Sequence, residues 1–170
     1  MNLIRLLSAD DAQAYKDLRL TALTTNPESF LATFESENLK SLASFSAELR
    51  YALAEPIFGY YGIFEDNHLV GYAFLEKSYL EKQQHIAFFY NLYIHPDHRG
   101  KKLAIKLFEF LLTQLKEKTT IERLFLSCNQ KNLPAQKLYK KLGFKSYAIK
   151  EKSIKWLGQY DDEIEMVMEL

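Results

Sequence analysis

The sequence predicts a mixed α/β fold in which a sheet of about six or seven strands is flanked by about four helices. The segment at residues 88–94 is apolar on both of its alternating faces, as is typical of a central strand covered by helices. Leu103, Leu107, Leu111 and Leu115 recur at the spacing of an amphipathic helix. Strand-like and helix-like segments alternate along the chain, so neither an all-α nor an all-β class fits.

The strands are predicted from apolar runs bounded by polar turns, and the helices from apolar residues at helical spacing. Ser8 and Asp11 have the spacing of a capping box at the start of the first helix. Residues 28–43 show a mixed pattern. In chain order, strands are predicted at residues 2–7, 57–64, 69–75, 85–94, 123–128, 146–156 and 160–170. Helices are predicted between Ser8 and Pro27, at 44–54 before Pro56, at 103–115, and between the capping residue Asn132 and Gly143.

Composition and charge predict a globular protein with no long-range attraction to polyanions. Hydrophobic residues make up 48% and charged residues 26% of the 170 residues, so we expect residues 1–170 to form one domain. The 22 basic and 22 acidic side chains cancel, which argues against nucleic acid or a membrane surface as a partner. Cys128 is the only cysteine, and no segment resembles a signal peptide or a membrane span. We therefore expect a cytoplasmic location.

The most informative segment is residues 95–104, which lies where a predicted helix begins. Arg99, Lys101 and Lys102 fall at the positive end of that helix dipole, where each exposed cation costs about 0.3–1 kcal/mol. A bound anion would reverse the sign, because free N–H groups, the dipole and nearby cations together bind phosphate. Solvated surface cations are the alternative explanation. Since the Walker A and dinucleotide-binding glycine patterns are absent, an ordinary nucleotide hydrolase or dehydrogenase is disfavoured.

A second motif comprises Asn132, Ala135, Tyr139, Gly143 and Phe144. A capped helix that ends at a glycine and buries the tyrosine ring would explain this motif without any ligand. The Tyr139 hydroxyl, with an ordinary pKa of about 10, would also offer a proton to a nearby anion.

Together the two motifs resemble the GNAT superfamily of acetyl-CoA-dependent N-acyltransferases. Its members carry Arg/Gln-x-x-Gly-x-Gly/Ala between a strand and a helix, and later Asn-x-x-Ala-x-x-x-Tyr-x-x-x-Gly-Phe. Residues 99–104 fit the first pattern except at Lys102, residues 132–144 fit the second, and the separation of the two is similar. Looser similarities to the small-molecule branch lie at residues 4–6, 18–19, 27–30 and 158–163. The resemblance implies a GNAT-like fold with a twisted, largely antiparallel central sheet, and acetyl-CoA as cosubstrate.

The resemblance also implies roles for individual residues. The first motif would bind the coenzyme A pyrophosphate through backbone amides, and the preceding strand would lie beside the pantetheine and polarise the thioester carbonyl. Asn132 would contact the pantetheine, and Tyr139 would act as the catalytic acid that protonates the leaving thiolate. The implied cofactor-binding residues are Leu92, Tyr93, Ile94, Arg99, Gly100, Lys101, Lys102, Leu103, Ala104, Asn132, Ala135 and Tyr139. The substrate-binding candidates are Glu28, Phe30 and Tyr90.

Two positions depart from the family pattern. Lys102 replaces a glycine, so its side chain either crowds the phosphates or adds a point-charge contact to them. Tyr90 stands where many relatives carry a glutamate that acts as general base, and a tyrosine of ordinary pKa is a poor base near pH 7. Deprotonation would then use a water chain or another carboxylate, such as Glu28 or Glu35.

We therefore expect an N-acetyltransferase whose substrate, a small primary amine, attacks the thioester directly. The alternatives are a protein N-terminus or lysine as acceptor, a non-catalytic acyl-CoA-binding module, and a purely structural domain. No metal is expected, because His95, Asp97 and His98 lack zinc-ligand spacing and fit a turn. Cys128 is expected to pack in the core. The acidic residues 161–163 are expected to flank a hairpin, or else to attract a cationic amine. Relatives are often dimers, which implies a possible homodimer.

Overall fold

The computed structural model describes residues 2–52 and 56–170, and it confirms the mixed α/β fold. Within these residues, seven strands form one sheet and five α-helices surround it. The strands are β1 (Leu3–Leu6), β2 (Gly59–Glu65), β3 (His68–Lys77), β4 (Ile86–Ile94), β5 (Arg123–Asn129), β6 (Lys145–Trp156) and β7 (Gln159–Glu169). The helices are α1 (Ala12–Thr25), α2 (Phe34–Asn38), α3 (Leu42–Ala52), α4 (Leu103–Lys118) and α5 (Leu133–Lys141).

The sheet is largely antiparallel and contains one parallel pair at its centre. Its strand order is β1-β2-β3-β4-β5-β7-β6, and only β4 and β5 run parallel. These two strands pair at three positions, from Ile86 opposite Arg123 to Phe88 opposite Phe125. Beyond Phe88 they share no pair, so residues 89–94 of β4 border a gap in the sheet. Ligands commonly bind at such carboxyl ends of parallel strands.

A β-bulge changes the course of β4 beside this gap. Asn91 and Leu92 of β4 both lie opposite the single residue Ala73 of β3. Asn91 adopts a left-handed backbone conformation, with φ of 55°. A bulge leaves one residue out of the hydrogen-bonded pairing between two strands and changes the direction of the neighbouring side chains. The backbone of β4 is therefore irregular where the gap opens.

The two faces of the sheet are covered by different helices, as the apolar pattern of β4 predicts. On one face, α4 packs the buried residues Leu107 and Phe108 against the sheet, and Phe89 of β4 meets Phe108 edge-to-face at 5.4 Å between ring centroids. On the other face, Tyr15 of α1 and Phe45 of α3 pack together in a second buried cluster. Side chains from β4 enter both clusters, so β4 is the central strand.

Three segments differ from their predicted form. Residues 28–43 contain the short helix α2, whose first turn is capped by a hydrogen bond from the Ser36 amide to Thr33 Oγ1 (3.2 Å). The helix predicted at 44–54 begins earlier, as α3, and residues 53 and 54 of that prediction lie outside the described residues. Residues 161–163 lie in β7, as predicted, but they are partly buried rather than solvated, and Asp161 and Glu163 accept hydrogen bonds from Asn129 and Ser127 of β5.

Candidate active site

The loop between β4 and α4 presents a row of free backbone N–H groups. Among the described residues, the amides of residues 100–105 have no hydrogen-bond acceptor. Gly100 and Lys102 both have left-handed backbones, with φ of 78° and 60°, and they turn the chain into the first turn of α4. Unpaired amides at the N-terminus of a 16-residue helix form an anion-binding site.

The three cations of this segment have different surroundings. Arg99 holds the loop in place through two hydrogen bonds. Its Nε donates to the Ile94 carbonyl (2.9 Å), and its Nη2 donates to Asn26 Oδ1 (2.6 Å). Lys101 pairs with Glu65 at 2.9 Å, and Glu65 also binds His98. Within the described part of the chain, Lys102 has neither a side-chain hydrogen bond nor an ion pair. Glu65 therefore offsets the charge of Lys101, and Lys102 is the cation most available to an anion.

Two clefts meet at the gap between β4 and β5. The first, which we call the α4 cleft, has a volume of about 440 Å³. It is lined by Asn26, Ser29, Leu92, Tyr93, Ile94, Arg99, Gly100, Lys102, Leu103, Ala104, Ile105, Pro134, Ala135, Leu138 and Tyr139. The structure thus brings together most of the predicted cofactor-binding residues. Lys101 does not line this cleft.

The second cleft, which we call the β5 cleft, has a volume of about 410 Å³. It is lined by Arg19, Glu28, Ser29, Phe30, Leu31, Ala32, Phe89, Tyr90, Asn91, Leu92, Ser127, Cys128, Asn129, Asn132, Ala135, Tyr139, Lys150, Ile154 and Glu163. The predicted substrate residues Glu28, Phe30 and Tyr90 are among them. Ser29, Leu92, Ala135 and Tyr139 line both clefts, so these four residues mark the junction.

Tyr139 lines both clefts, and its hydroxyl has no hydrogen-bond partner among the described residues. Its ring packs edge-to-face against Phe89 and Phe144, with centroids 6.4 and 5.9 Å away. Burial raises the pKa of the Tyr139 phenol well above its usual value, and Cys128 adds to this shift. The phenol therefore stays protonated near neutral pH and is able to donate a proton.

Asn132 ties α5 to the loop that follows α1. Its Oδ1 accepts a hydrogen bond from the Ala135 amide (3.2 Å), which caps the helix, while its Nδ2 donates to Ser29 Oγ (2.9 Å). Asn132 lines the β5 cleft rather than the α4 cleft. Its capping role orients the helix turn that carries Ala135, one turn before Tyr139.

The side chains of the β5 cleft combine aromatic rings with charges. Tyr90 stacks between Phe74 and Phe88, and burial, reinforced by the negative charges of Glu76 and Glu165, raises its pKa to about 12. Tyr90 is therefore neutral and no general base near pH 7. Of the carboxylates that the sequence suggested as bases, Glu28 lines this cleft, whereas the exposed Glu35 on α2 lines neither cleft.

Sequence reasoning did not assign a role to Arg19 or Ser127, and it placed Glu163 on a hairpin flank. All three line the β5 cleft, and Ser127 donates to Glu163 Oε1 at 3.1 Å. Strand pairing alone brings β5 beside β7, so no local motif signals this contact. Cys128 also lines this cleft, and burial followed by the charges of Glu163 and Glu165 raises its pKa to about 11.

Over residues 2–52 and 56–170, no helix is both long and apolar enough to cross a membrane. In the same part of the chain, no three His, Cys, Asp or Glu side chains are grouped in a way that could hold a metal ion.

Comparison with protein families gives a match over most of the chain. The model of the acetyltransferase (GNAT) family matches residues 19–144, which is about three quarters of the chain. This range contains both sequence motifs and all the residues that line the α4 cleft. No curated protein matches the chain.

Several solved structures share the fold at low sequence identity. An acetyltransferase of the GNAT family from Streptococcus pneumoniae superposes with a TM-score of 0.86 at 18% identity, covering 100% of both chains. A ribosomal-protein-alanine N-acetyltransferase from Brucella melitensis gives 0.85 at 19% identity, covering 99% of both chains. A putative acetyltransferase from Salmonella typhimurium, determined with its cofactor acetyl-CoA, gives 0.78 at 19% identity and covers 100% of this chain and 94% of that chain.

Proposed function

Because the chain belongs to the GNAT family of acetyltransferases, we propose that it transfers the acetyl group of acetyl-CoA to the primary amine of a small molecule. The observation that carries this proposal is the junction of two clefts at Leu92 and Tyr139. One cleft offers an anion-binding helix terminus, and the other offers aromatic and charged side chains. A thioester donor and an amine acceptor would therefore meet beside the tyrosine hydroxyl.

The α4 cleft fits coenzyme A by the chemistry of its walls. The free amides of residues 100–105, together with Lys102, suit a pyrophosphate. Leu92, Ile94, Pro134 and Leu138 supply apolar walls for the pantetheine arm. When bound, acetyl-CoA supplies the acetyl group as an activated thioester.

Residues at the junction perform the chemistry in this proposal. A backbone amide of the bulged segment of β4 donates to the carbonyl oxygen as negative charge develops on it, an effect that contributes a few kcal/mol in related oxyanion sites. Tyr139 donates its phenolic proton to the departing sulfur. The acceptor amine attacks the carbonyl carbon directly, so no acyl-enzyme is needed and Cys128 has no nucleophilic role.

The β5 cleft has the size of a small acceptor, and its volume of about 410 Å³ supports a small molecule over a folded protein surface. We also propose that residues 1–170 act as one domain, in the cytoplasm and as a homodimer.

Acetyl-CoA binding is the first test of this function. A ligand that binds only the folded state raises the melting temperature, so acetyl-CoA should stabilise the protein and CoA-free acetyl donors should not. A thiol-release assay over a panel of amines and peptides then identifies the acceptor class. Absence of a thermal shift at millimolar acetyl-CoA would overturn the proposal. Tight binding without turnover of any amine would favour a non-catalytic acyl-CoA-binding module, and turnover of peptides alone would favour a protein acceptor.

The general base is assigned by comparing two carboxylates of the β5 cleft. If Glu28 removes the amine proton, directly or through water, Glu28→Gln lowers kcat. Glu163→Gln is the matched control, since it neutralises a carboxylate in the same cleft. The opposite result would assign the base to Glu163.

A further inference from the structure

Arg19 is a buried cation that has no carboxylate partner within residues 2–52 and 56–170. Its side chain belongs to α1 and the residue is only 6% exposed. Buried charges are normally paired, because removing an ion from water is costly unless another charge or several hydrogen bonds compensate. Among the described residues, no carboxylate oxygen lies within 4 Å of the Arg19 guanidinium, and the nearby Glu37 is instead paired with Lys40 at 3.0 Å.

The contacts that Arg19 does make leave most of its donors unused. Nη1 donates to the Tyr72 hydroxyl at 3.3 Å, and the guanidinium lies 4.8 Å from the centre of the Phe30 ring. A guanidinium has five N–H donors, so one long hydrogen bond and one aromatic contact leave donors free, and these free donors are not fully enclosed by protein. Its planar fork matches a carboxylate, which it binds through two parallel hydrogen bonds.

The unsatisfied guanidinium lines the β5 cleft. Phe30, on which it stacks, lines the same cleft, and this cleft reaches the proposed reaction centre at Leu92 and Tyr139. The other cation of the cleft, Lys150, already pairs with Glu165 at 2.6 Å. Arg19 is therefore the cation of this cleft that is available to an anionic ligand.

The cleft also carries negative charge that suits an amine. Glu28 and Glu163 both line it. These carboxylates favour an ammonium group, while Arg19 favours a carboxylate, and a molecule that carries both groups would complement both.

We propose that Arg19 binds the carboxylate of the acceptor, and that the acceptor is an amino acid or a similar small molecule bearing both a carboxylate and a primary amine. This inference rests on the proposed acetyltransferase function and narrows its substrate class. A protein N-terminus has no free carboxylate beside its amine and does not meet this requirement.

Matched pairs of acceptors test the inference in the unmodified protein. Each pair consists of an amino acid and the amine left when its carboxylate is removed, such as phenylalanine and phenethylamine, or histidine and histamine. We expect kcat/KM to favour the amino acid by more than tenfold in the pairs whose side chain fits, which is the effect of a charge-assisted hydrogen-bond pair. Equal or greater activity towards the decarboxylated amines would overturn the inference and leave the acetyltransferase function intact.

Arg19→Gln separates recognition from a purely structural role. We expect it to remove the preference for the amino acid through KM, while kcat/KM for the decarboxylated amine and the Kd for acetyl-CoA stay within about twofold. Lys150→Gln is the matched control, because it removes a paired cation from the same cleft and should change both members of a pair by the same factor. If Arg19→Gln lowers both members equally, Arg19 is only structural and the inference fails.

A binding measurement keeps the inference testable without turnover. Calorimetric titration with N-acetylphenylalanine and with N-acetylphenethylamine compares the two products, and only the first should bind measurably. Arg19→Lys, which retains the charge but loses the fork, should weaken this binding without abolishing it. If the carboxylate product binds through Arg19 while no amine is acetylated, the proposed catalysis fails and the carboxylate site stands. If neither product binds, the carboxylate site is refuted.

Discussion

Replacing Lys102 with glycine tests how the anion-binding loop is built. Lys102 occupies the N-cap of α4 with φ of 60° and ψ of 23°, a left-handed conformation that costs an L-residue about 1–2 kcal/mol. It makes no side-chain capping hydrogen bond to offset that strain. A glycine would adopt this conformation without strain, so the lysine at this position has a cost in stability.

The expected gain in stability is the difference between two effects. Glycine removes about 1–2 kcal/mol of left-handed strain, but it loses more backbone entropy on folding, which costs roughly 0.5–1 kcal/mol. Taking the middle of each range, the net increase in the free energy of unfolding is about 0.75 kcal/mol. For a chain of this length, that corresponds to a rise of about 1–4 °C in the melting temperature.

The effect on ligand binding has the opposite sign. Lys102 lines the α4 cleft without an ion-pair partner among the described residues, so its loss should weaken acetyl-CoA binding by about two- to fivefold, as expected for an exposed charge. Lys102→Ala loses the same charge but keeps the Cβ and the strain. Lys101→Ala is the matched control outside the cleft, because that lysine pairs with Glu65.

Differential scanning calorimetry of the apo variants and calorimetric titration with acetyl-CoA measure the two quantities separately. We expect Lys102→Gly to be more stable than Lys102→Ala and both to bind acetyl-CoA equally weakly. Equal melting temperatures would refute the strain. Tighter binding by the glycine variant than by wild type would refute the charge contact and show that the lysine side chain crowds the phosphates.

Three further outcomes follow from the site and its supports. Tyr139→Phe should lower kcat by about a hundredfold with an unchanged Kd for acetyl-CoA, as measured by thiol release, and an unchanged kcat would remove the tyrosine from its acid role. Burial raises the pKa of Cys128 to about 11, so this thiol should react with iodoacetamide at pH 8 at least tenfold more slowly in the native than in the unfolded protein. Cys128→Ser should retain activity, and loss of activity would point to an acyl-enzyme. The Asp11 carboxylate accepts two hydrogen bonds from Arg5, at 2.7 and 2.8 Å, and these lower the pKa of Asp11 below its value in the unfolded chain. The pair therefore stabilises the fold above about pH 4, and this stabilisation is lost as the pH falls through the pKa of Asp11 in the folded state. Acid unfolding of Asp11→Asn should lack this component, and an identical pH dependence would contradict it.

The sequence predicted those parts of the fold that depend on local patterns. Alternation and helical spacing located all seven strands and four of the helices, since these patterns are properties of single segments. The short helix α2 was not predicted, because its five residues are too few to show apolar residues at helical spacing. The two motifs predicted most of the α4 cleft, because its residues come mainly from two continuous segments, 92–105 and 134–139. The loop after α1 contributes the remaining lining residues, Asn26 and Ser29.

The β5 cleft was only partly predictable, because it is assembled from segments far apart in the chain. No pattern in the sequence predicts that Arg19 is buried or binds a ligand, since a single arginine on a helix is normally solvent-exposed. Its burial depends on Phe30 and Tyr72, which come from a loop and from β3. Glu163 likewise enters the cleft only through the register of β7 against β5, which places it opposite Asn129.

The charged side chains of the β5 cleft do not depend on the residue at position 90, where this chain has a tyrosine. With its pKa raised to about 12, Tyr90 gives β4 no charge in the β5 cleft, so the ionic side chains of this cleft all come from other elements. Arg19 comes from α1, Glu28 from the turn after it, Lys150 from β6 and Glu163 from β7, and both β6 and β7 lie outside the family-matched residues. None of these four lines the α4 cleft. In the function that we propose, acceptor recognition can therefore change by substitution in α1, its following turn, β6 or β7 while the donor-binding loop and Tyr139 keep their geometry.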